Sequence, residues 1–277
     1  MKTLGIYTFV HNVTDYDYPI EESLNSALPI ANKIVILECS STDNTLERLK
    51  SWASSLGEKS SDVQIIHGMP WITHFTQLSS LANLAAQYCT TDWKWHLQAD
   101  EVIHEDSYEY IQHIIEHAPE NITALSVNYT HMLANFETEF DFCYKRAIRI
   151  ARGLSNWHLI GDACQLDGES IDRVYNSDIQ VFHYGKVHSY ETGFKKESDF
   201  QELFRDIGFP DPKMKEMKTS LQADKCDYLY LFKEDIKNGK VRKFTGTHPK
   251  VMQERIKKFK DNGWEQFQSI MDNDIKI

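Results

Sequence analysis

Short apolar runs alternate with helix-like apolar spacing over roughly the first half of the chain. Runs rich in apolar and β-branched residues predict strands at Leu4–Val10, Lys33–Leu37, Val63–Ile66, Trp93–Leu97 and Thr123–Tyr129. Apolar positions three or four residues apart predict helices between these strands, over residues 19–31, 45–52, 76–89 and 107–117. Strands that alternate with helices favour an α/β fold with a mainly parallel, doubly wound sheet.

The pattern changes after Tyr129. Two further strand-like runs, Cys143–Ile150 and Ile179–Tyr184, are separated by turn-rich pieces, and the remainder of the chain has a helical, amphipathic pattern. We therefore predict a main domain over residues 1–189 and a helical C-terminal extension over residues 190–277.

The fourth predicted strand leads into two adjacent acids, Asp100 and Glu101. In open α/β sheets, ligands bind beyond the carboxyl ends of the strands, so these acids would lie at the ligand site. Unpaired carboxylates are costly to desolvate there, and a divalent cation that carries phosphate oxygens would remove that cost. The pattern therefore favours a metal-assisted site for a phosphorylated ligand. The alternative is that Asp100 only caps the next helix.

Composition restricts the classes of function. The 277 residues are 41% hydrophobic, which is enough for a full core, and no run of 18 apolar residues occurs. The net charge is -11, and residues 1–189 carry 12 Lys and Arg against 25 Asp and Glu. Such an acidic domain is a poor nucleic-acid binder, and it would repel a phosphorylated ligand unless a cation or a few arginines intervene.

Two further expectations concern the cellular setting. The N-terminal residues read as a strand and lack the apolar segment and cleavage site of a signal peptide, so we expect a cytoplasmic protein with no membrane-spanning segment. The five cysteines are scattered and form no Cys-x-x-Cys pair, which predicts reduced thiols and argues against a zinc site or a disulfide framework.

Four segments within residues 1–185 carry motifs at the ends of predicted strands. They are the opening strand ending Thr8-Phe9-Val10-His11-Asn12, the stretch Ile-Val-Ile-Leu-Glu-Cys-Ser-Ser-Thr-Asp-Asn-Thr at 34–45, Leu-Gln-Ala-Asp-Glu at 97–101, and Val-Phe-His-Tyr-Gly at 181–185. In this order they resemble GT-A-fold glycosyltransferases close to family 2. There the second segment reads Asp-Asp-Gly-Ser-Thr-Asp-Gly-Thr after a strand, and the third is the Asp-Ala-Asp-Glu form of the DxD motif. The resemblance implies transfer of a sugar from a nucleotide-sugar donor to an acceptor hydroxyl, on a glycan or another molecule.

The resemblance also implies a divalent cation, Mn²⁺ or Mg²⁺, which neutralises the leaving diphosphate. Asp100 corresponds to the last acid of the DxD motif and is the implied metal ligand. His183 is a candidate second ligand, because imidazole suits Mn²⁺; the alternative is a buried histidine bonded to backbone. Gln98 replaces the first acid and could hydrogen-bond ribose or a metal-bound water. Glu101 either supports the metal ligands or caps the following helix.

Further residues are candidates for binding the nucleotide. By resemblance, Glu38 would accept hydrogen bonds from the base or ribose, with an exposed loop acid as the alternative, and Thr8 and His11 would flank the base. Arg146 and Arg149 lie three apart on a predicted strand and so point to opposite faces. One of them could bind phosphate bidentately while the other is ion-paired or on the surface. We assign Arg146 as the candidate and leave the choice open.

A candidate general base lies downstream of the DxD-like motif. An inverting transferase needs a carboxylate that takes the proton of the acceptor hydroxyl. The family carries this acid before its C-terminal appendage, and Asp162 has the corresponding position. Asp167 and Glu169 are rivals, although Asp167 falls in a turn-like sequence.

The sequence leaves one alternative function open and disfavours two. Because Gln98 replaces an acid, the fold could bind a nucleotide-sugar or a glycan without turnover. A nucleotidyltransferase would show a glycine-rich, basic loop after its first strand, and residues 11–15 contain neither glycine nor lysine. A Rossmann dehydrogenase is excluded because no Gly-x-Gly-x-x-Gly follows any predicted strand.

Overall fold

The computed structural model describes residues 1–71, 74, 76–141, 144–189, 192, 193, 195, 196, 198–200 and 233–259. The strands are β1 (Leu4–Val10), β2 (Lys33–Glu38), β3 (Val63–Ile66), β4 (Trp93–His96), β5 (Glu101–Ile103), β6 (Ala124–Met132), β7 (Thr138–Phe140), β8 (Arg146–Arg152), β9 (His158–Ile160), β10 (Gln165–Asp167), β11 (Val174–His183) and β12 (Val241–Lys243). The α-helices are α1 (Ile20–Ala27), α2 (Thr45–Ser55), α3 (Gln77–Gln87), α4 (Tyr108–His117), α5 (Lys233–Lys237) and α6 (Gln253–Lys258).

A mainly parallel central sheet organises the fold. Neighbouring strands follow the order β12-β7-β6-β8-β4-β1-β2-β3. Strands β3, β2, β1 and β4 pair in parallel, β8 runs antiparallel between β4 and β6, and β11 pairs in parallel with β6. The α/β fold with a mainly parallel sheet that the sequence predicts is therefore confirmed.

Helices cover both faces of the sheet. Successive residues of a strand point to opposite sides, and in the central strands both sides are apolar. On one face, Ile6 and Ile36 pack with apolar residues of α1, α2 and α4. On the other face, Tyr7 and Val35 pack against α3. All four side chains are buried. A strand buried on both faces reads as a continuous apolar run, which explains why β1 and β2 can be recognised in the sequence.

A short strand, β5, follows β4 after a tight turn. It pairs antiparallel with β11, and the register places His183 opposite Glu101. The sequence pattern does not predict β5, because three residues are too few to distinguish a strand from a loop. This pairing brings the end of β11 alongside the end of β4.

Described residues from the predicted C-terminal extension pack against residues 1–189. Strand β12 pairs antiparallel with β7 at the edge of the central sheet, which the helical pattern of the extension does not predict. Met252 is fully buried. Arg255 of α6 forms ion pairs with Asp17, in the loop after β1, and with Glu22, in the first turn of α1.

Cys39, Cys89 and Cys164 carry free thiols. The prediction of reduced thiols at Cys143 and Cys226 falls outside the described residues, as does the helical pattern predicted for residues 201–232. Among the helices that the structure describes, none is both long enough and apolar enough to cross a lipid bilayer.

Candidate active site

A cleft opens at the carboxyl ends of the parallel strands. Its volume is about 420 Å³, and residues that follow β1, β4 and β11 line it. Five residues singled out from the sequence meet there, namely His11, Gln98, Asp100, Asp162 and His183. The strand ends therefore converge as expected for the ligand site of an open α/β sheet.

Asp100 lies in the turn between β4 and β5. Its backbone carbonyl accepts a hydrogen bond from the Tyr184 N–H at 2.8 Å, and the pairing of β5 with β11 places His183 beside it. Asp100 Oδ2 and His183 Nε2 are 3.6 Å apart. The alternative that Asp100 caps a helix is wrong, because the residues that follow it form a strand.

Burial and charge have opposing effects on the two groups. Burial raises the pKa of Asp100, but the nearby His183 and Lys196 outweigh this effect and hold the pKa below its ordinary value. Burial lowers the pKa of His183 by more than the Asp100 and Glu101 carboxylates raise it. At neutral pH the pair is therefore a carboxylate beside a neutral imidazole, the protonation states in which both groups bind metal ions.

Gly185 leaves space for this pair. A Cβ atom on Gly185 would lie 2.2 Å from Asp100 Oδ2 and 2.7 Å from His183 Cε1. Any other residue would therefore push against the carboxylate or the ring. The lack of space beside Asp100 and His183 therefore explains why the His-Tyr-Gly sequence ends in glycine.

Glu101 holds the turn that carries Asp100. Its carboxylate pairs with Arg149 Nη2 at 2.8 and 2.9 Å and accepts hydrogen bonds from the Tyr129 hydroxyl and the Gln98 N–H, each at 2.9 Å. Glu101 and Arg149 are both fully buried. Glu101 therefore stabilises the turn that positions Asp100 and does not cap the next helix. Arg149 is the ion-paired member of the two candidate arginines.

Two rings stack near the end of β1. The His11 and Trp71 rings have centroids 4.3 Å apart and planes within 6° of parallel, and both residues line the cleft. His11 Nδ1 lies 2.7 Å from the Cys39 carbonyl oxygen. Burial lowers the pKa of His11, which favours the neutral ring. The pair offers a flat, uncharged surface to a planar ligand.

Three residues predicted to bind the nucleotide are not among the described residues that line the cleft. Thr8 is buried within β1. Glu38 is also buried, so the exposed-acid alternative is wrong, and its carboxylate accepts the Ser41 N–H at 2.6 Å. Arg146 is exposed and donates to the Ser177 carbonyl at 2.8 Å. The structure thus does not bring these three residues together with the others.

Asp162 lines the cleft from the turn after β9. Its Oδ1 accepts a hydrogen bond from the Cys164 N–H at 3.2 Å. The rival acids lie elsewhere, since Asp167 is exposed on β10 and Glu169 accepts the Thr123 hydroxyl at 2.6 Å. Of the three acids, Asp162 is therefore the one placed to meet a ligand in the cleft.

Several residues of the cleft are not predicted from the sequence, namely His96, Tyr144, Lys186, Lys196 and Asp199. Two of them carried a usable signal: His96 ends β4 close to Gln98, and Lys186 directly follows Gly185. Lys196 and Asp199 carried none, because they lie in a polar stretch of ordinary helical pattern.

Another group of potential metal ligands is outside the described lining of the cleft. Donor atoms of His104, Glu105 and Asp106 lie within 4.8 Å of one another. Glu105 accepts the backbone N–H of Lys250 at 3.0 Å, and the Lys250 ammonium lies 3.8 Å away. His104 Nδ1 accepts the Asp106 N–H at 3.2 Å. These contacts describe a turn that leads into α4, and we assign it no metal.

Comparisons with known proteins find no matching family model and no matching curated protein. Solved structures similar to this chain include S. aureus TarS, at 12% identity and a TM-score of 0.44 over 76% of this chain and 40% of that chain. They also include TarS 1-349 in complex with UDP-GlcNAc, at 11% identity and a TM-score of 0.44 over 76% of this chain and 67% of that chain.

A third similar structure is the mannosyltransferase PcManGT from Pyrobaculum calidifontis in complex with GDP-Man and Mn2+. It shares 10% identity and a TM-score of 0.43, over 85% of this chain and 73% of that chain. Likenesses at this level assign neither a family nor an activity. The function of this chain is therefore inferred from its own residues.

Proposed function

We propose that this protein is a glycosyltransferase that binds a nucleotide-sugar in the cleft and moves the sugar to an acceptor hydroxyl. The observation that carries the proposal is the Asp100–His183 pair, 3.6 Å apart, at the strand ends of a mainly parallel α/β sheet. A cleft of about 420 Å³ is of the size that small-molecule ligands occupy.

The donor set at this pair fits a divalent cation. A carboxylate oxygen and an imidazole nitrogen 3.6 Å apart can both ligate one ion. The mixture suits Mn²⁺ better than Mg²⁺, which prefers oxygen ligands and keeps several waters. When bound, the cation would neutralise the charge of the leaving diphosphate. Gly185 and Glu101 keep the two ligands in place, the first by leaving room and the second by fixing the turn.

Other residues of the cleft would orient the substrates and move one proton. The flat faces of His11 and Trp71 suit a base, and the Gln98 amide suits ribose or a bound water. Asp162 would take the proton of the acceptor hydroxyl as that oxygen bonds to the anomeric carbon and the diphosphate leaves. The predicted roles of Thr8, Glu38 and Arg146 form no part of this proposal.

The test combines binding with turnover. Calorimetry with UDP, GDP and their sugar conjugates, with Mn²⁺ present, would measure binding, and donor hydrolysis or transfer to an acceptor panel would measure turnover. We expect Asp100→Asn to weaken donor binding. We expect Asp162→Asn to lower kcat by about 10²–10⁴-fold with a nearly unchanged KM for the donor. The matched control is Asp167→Asn, which alters an exposed acid of the same region.

Two results would change the conclusion. Absence of any binding to nucleotides or nucleotide-sugars would remove the proposal. Tight donor binding without product in any donor–acceptor combination would favour a catalytically silent binding protein of the same fold.

A further inference from the structure

A lysine of the C-terminal extension is directed at the proposed cation site. Lys196 Nζ lies 3.9 Å from Asp100 Oδ2 and donates a hydrogen bond to the Gly185 carbonyl. It also lies over the Tyr18 ring, 4.6 Å from the centroid, and 5.6 Å from that of Phe200. Lys196 is only 8% exposed. The ammonium is therefore held against the wall of the cleft by a carboxylate, a carbonyl and two aromatic faces.

The charge of Asp100 already has a partner of opposite sign without a metal ion. Asp100 contributes one negative charge, Lys196 contributes one positive charge, and Gln98 is neutral where the resembling motif has an acid. A divalent cation that approaches Asp100 meets the ammonium a few ångströms away. A diphosphate that approaches the same place meets a positive charge whether or not a metal is bound.

We propose that Lys196 is a built-in cation of this site, which binds the diphosphate of the donor directly and weakens binding of divalent cations to the free protein. The proposal rests on the proposed function, because it assigns a residue to the same nucleotide site. The four-carbon stem of lysine lets the ammonium turn from Asp100 to a phosphate oxygen, and its three N–H donors can serve both. Lys186 also lines the cleft and adds a second positive charge.

The first experiment needs only the free protein and Mn²⁺. Electron paramagnetic resonance titration would compare wild type, Lys196→Met, and the neighbouring control Lys195→Met. Lys195 is exposed and pairs with Asp15, so its loss removes an equal charge outside the Asp100 site. We expect Lys196→Met to bind Mn²⁺ at least tenfold tighter than wild type and Lys195→Met to match wild type. Equal affinity in all three proteins would overturn the proposal.

The second experiment measures binding of UDP, GDP and the corresponding nucleosides in EDTA. We expect wild type to bind a diphosphate more tightly than its nucleoside, and Lys196→Met to lose at least tenfold for the diphosphate with the nucleoside unchanged. Lys196→Arg keeps the charge and should recover part of the loss, which separates the role of charge from a defect in folding.

The outcomes separate this inference from the proposed function. If diphosphates bind only with Mn²⁺, or if Lys196→Met binds them in EDTA as well as wild type does, Lys196 is not the built-in cation and the proposed function stands. If nucleotides bind neither with Mn²⁺ nor in EDTA, both proposals fail.

Discussion

Arg149 connects the two acids on which the proposed function depends. Its Nη2 pairs with Glu101 at 2.8 Å, and its Nη1 donates to the Ala163 carbonyl at 2.8 Å. Glu101 holds the turn of Asp100, and Ala163 directly follows Asp162. One buried guanidinium therefore positions the proposed metal ligand relative to the proposed base, although it is not among the described residues of the cleft lining.

Breaking this buried pair should strongly destabilise the protein. Arg149→Met leaves the Glu101 carboxylate buried without its cation, and such changes cost about 3–5 kcal/mol. Urea unfolding followed by circular dichroism would measure the loss. The control is Arg242→Met, which removes a largely exposed ion pair with Glu139 and should cost at most about 1 kcal/mol. Equal costs in the two variants would contradict the structural role given to Arg149.

Gly185 should be needed for ligand binding more than for folding. The added methyl of Gly185→Ala would displace the Asp100 carboxylate or the His183 ring, so we expect at least a tenfold loss of nucleoside diphosphate affinity with Mn²⁺ present. Calorimetry would measure it. In the control, Gly153→Ala, the new Cβ would lie 2.1 Å from the Thr91 carbonyl oxygen. Gly153→Ala should lose stability, but its folded molecules should bind the nucleoside diphosphate as tightly as wild type. An equal loss of affinity in both variants would contradict the role given to Gly185 at the site.

At the scale of elements, the sequence predicts the parallel half of the sheet and misses the short strands. β1 to β4 are apolar runs with helices between them, so local pattern is enough to find them. β5 and β12 have three residues each and exist because β11 and β7 pair with them from far along the chain. The predicted Asp100 and Asp162 reach the cleft, whereas Glu38 does not, because its carboxylate turns back to bind backbone N–H groups.

Helix α6 should stabilise the loop that follows β1. Arg255 pairs with Asp17 and Glu22 and donates to the Tyr18 carbonyl, and the Tyr18 side chain lines the cleft. Arg255→Met should therefore speed amide hydrogen exchange at residues 14–18 and weaken nucleotide binding a few-fold. Hydrogen exchange read by mass spectrometry would test this. The control is Lys257→Met, on the exposed side of the same helix. Unchanged hydrogen exchange in Arg255→Met would show that Arg255 does not stabilise this loop.

At the scale of the molecule, the positive charge at the cleft comes from late in the chain. Residues 1–189 are acidic, and the lysines that line the cleft, Lys186 and Lys196, follow β11. Lys196 reaches Asp100 because its neighbours Lys195 and Asp199 contact the loop after β1, Lys195 through Asp15 and Asp199 through the Tyr16 hydroxyl. No local pattern encodes that contact, so the sequence indicates that the site needs a cation but does not identify the lysine that supplies one.

Buried histidines should make the whole molecule sensitive to acid. His96 and His131 are buried and His183 is mostly buried around the cleft, and burial lowers the pKa of each, that of His131 to about 3. An unfolded histidine titrates near 6.5. Below that pH the unfolded chain binds protons that the folded protein excludes, so the free energy of unfolding should fall as pH drops from about 6.5 towards about 3.

His131 allows this effect to be measured one group at a time. Because its folded pKa is lowered, the stability that its neutral form contributes is present above about pH 6.5 and is lost as the pH falls towards about 3. His131→Gln should remove up to about 1.4 kcal/mol per pH unit from the slope of unfolding free energy between those limits. Urea unfolding at several values between pH 7 and pH 4.5 gives that slope. Gln keeps an N–H for the Tyr144 carbonyl, which lies 2.9 Å from His131 Nε2. His113→Gln, on the exposed face of α4, is the matched control, and an equal change of slope in both variants would show that the acid response does not come from the buried ring.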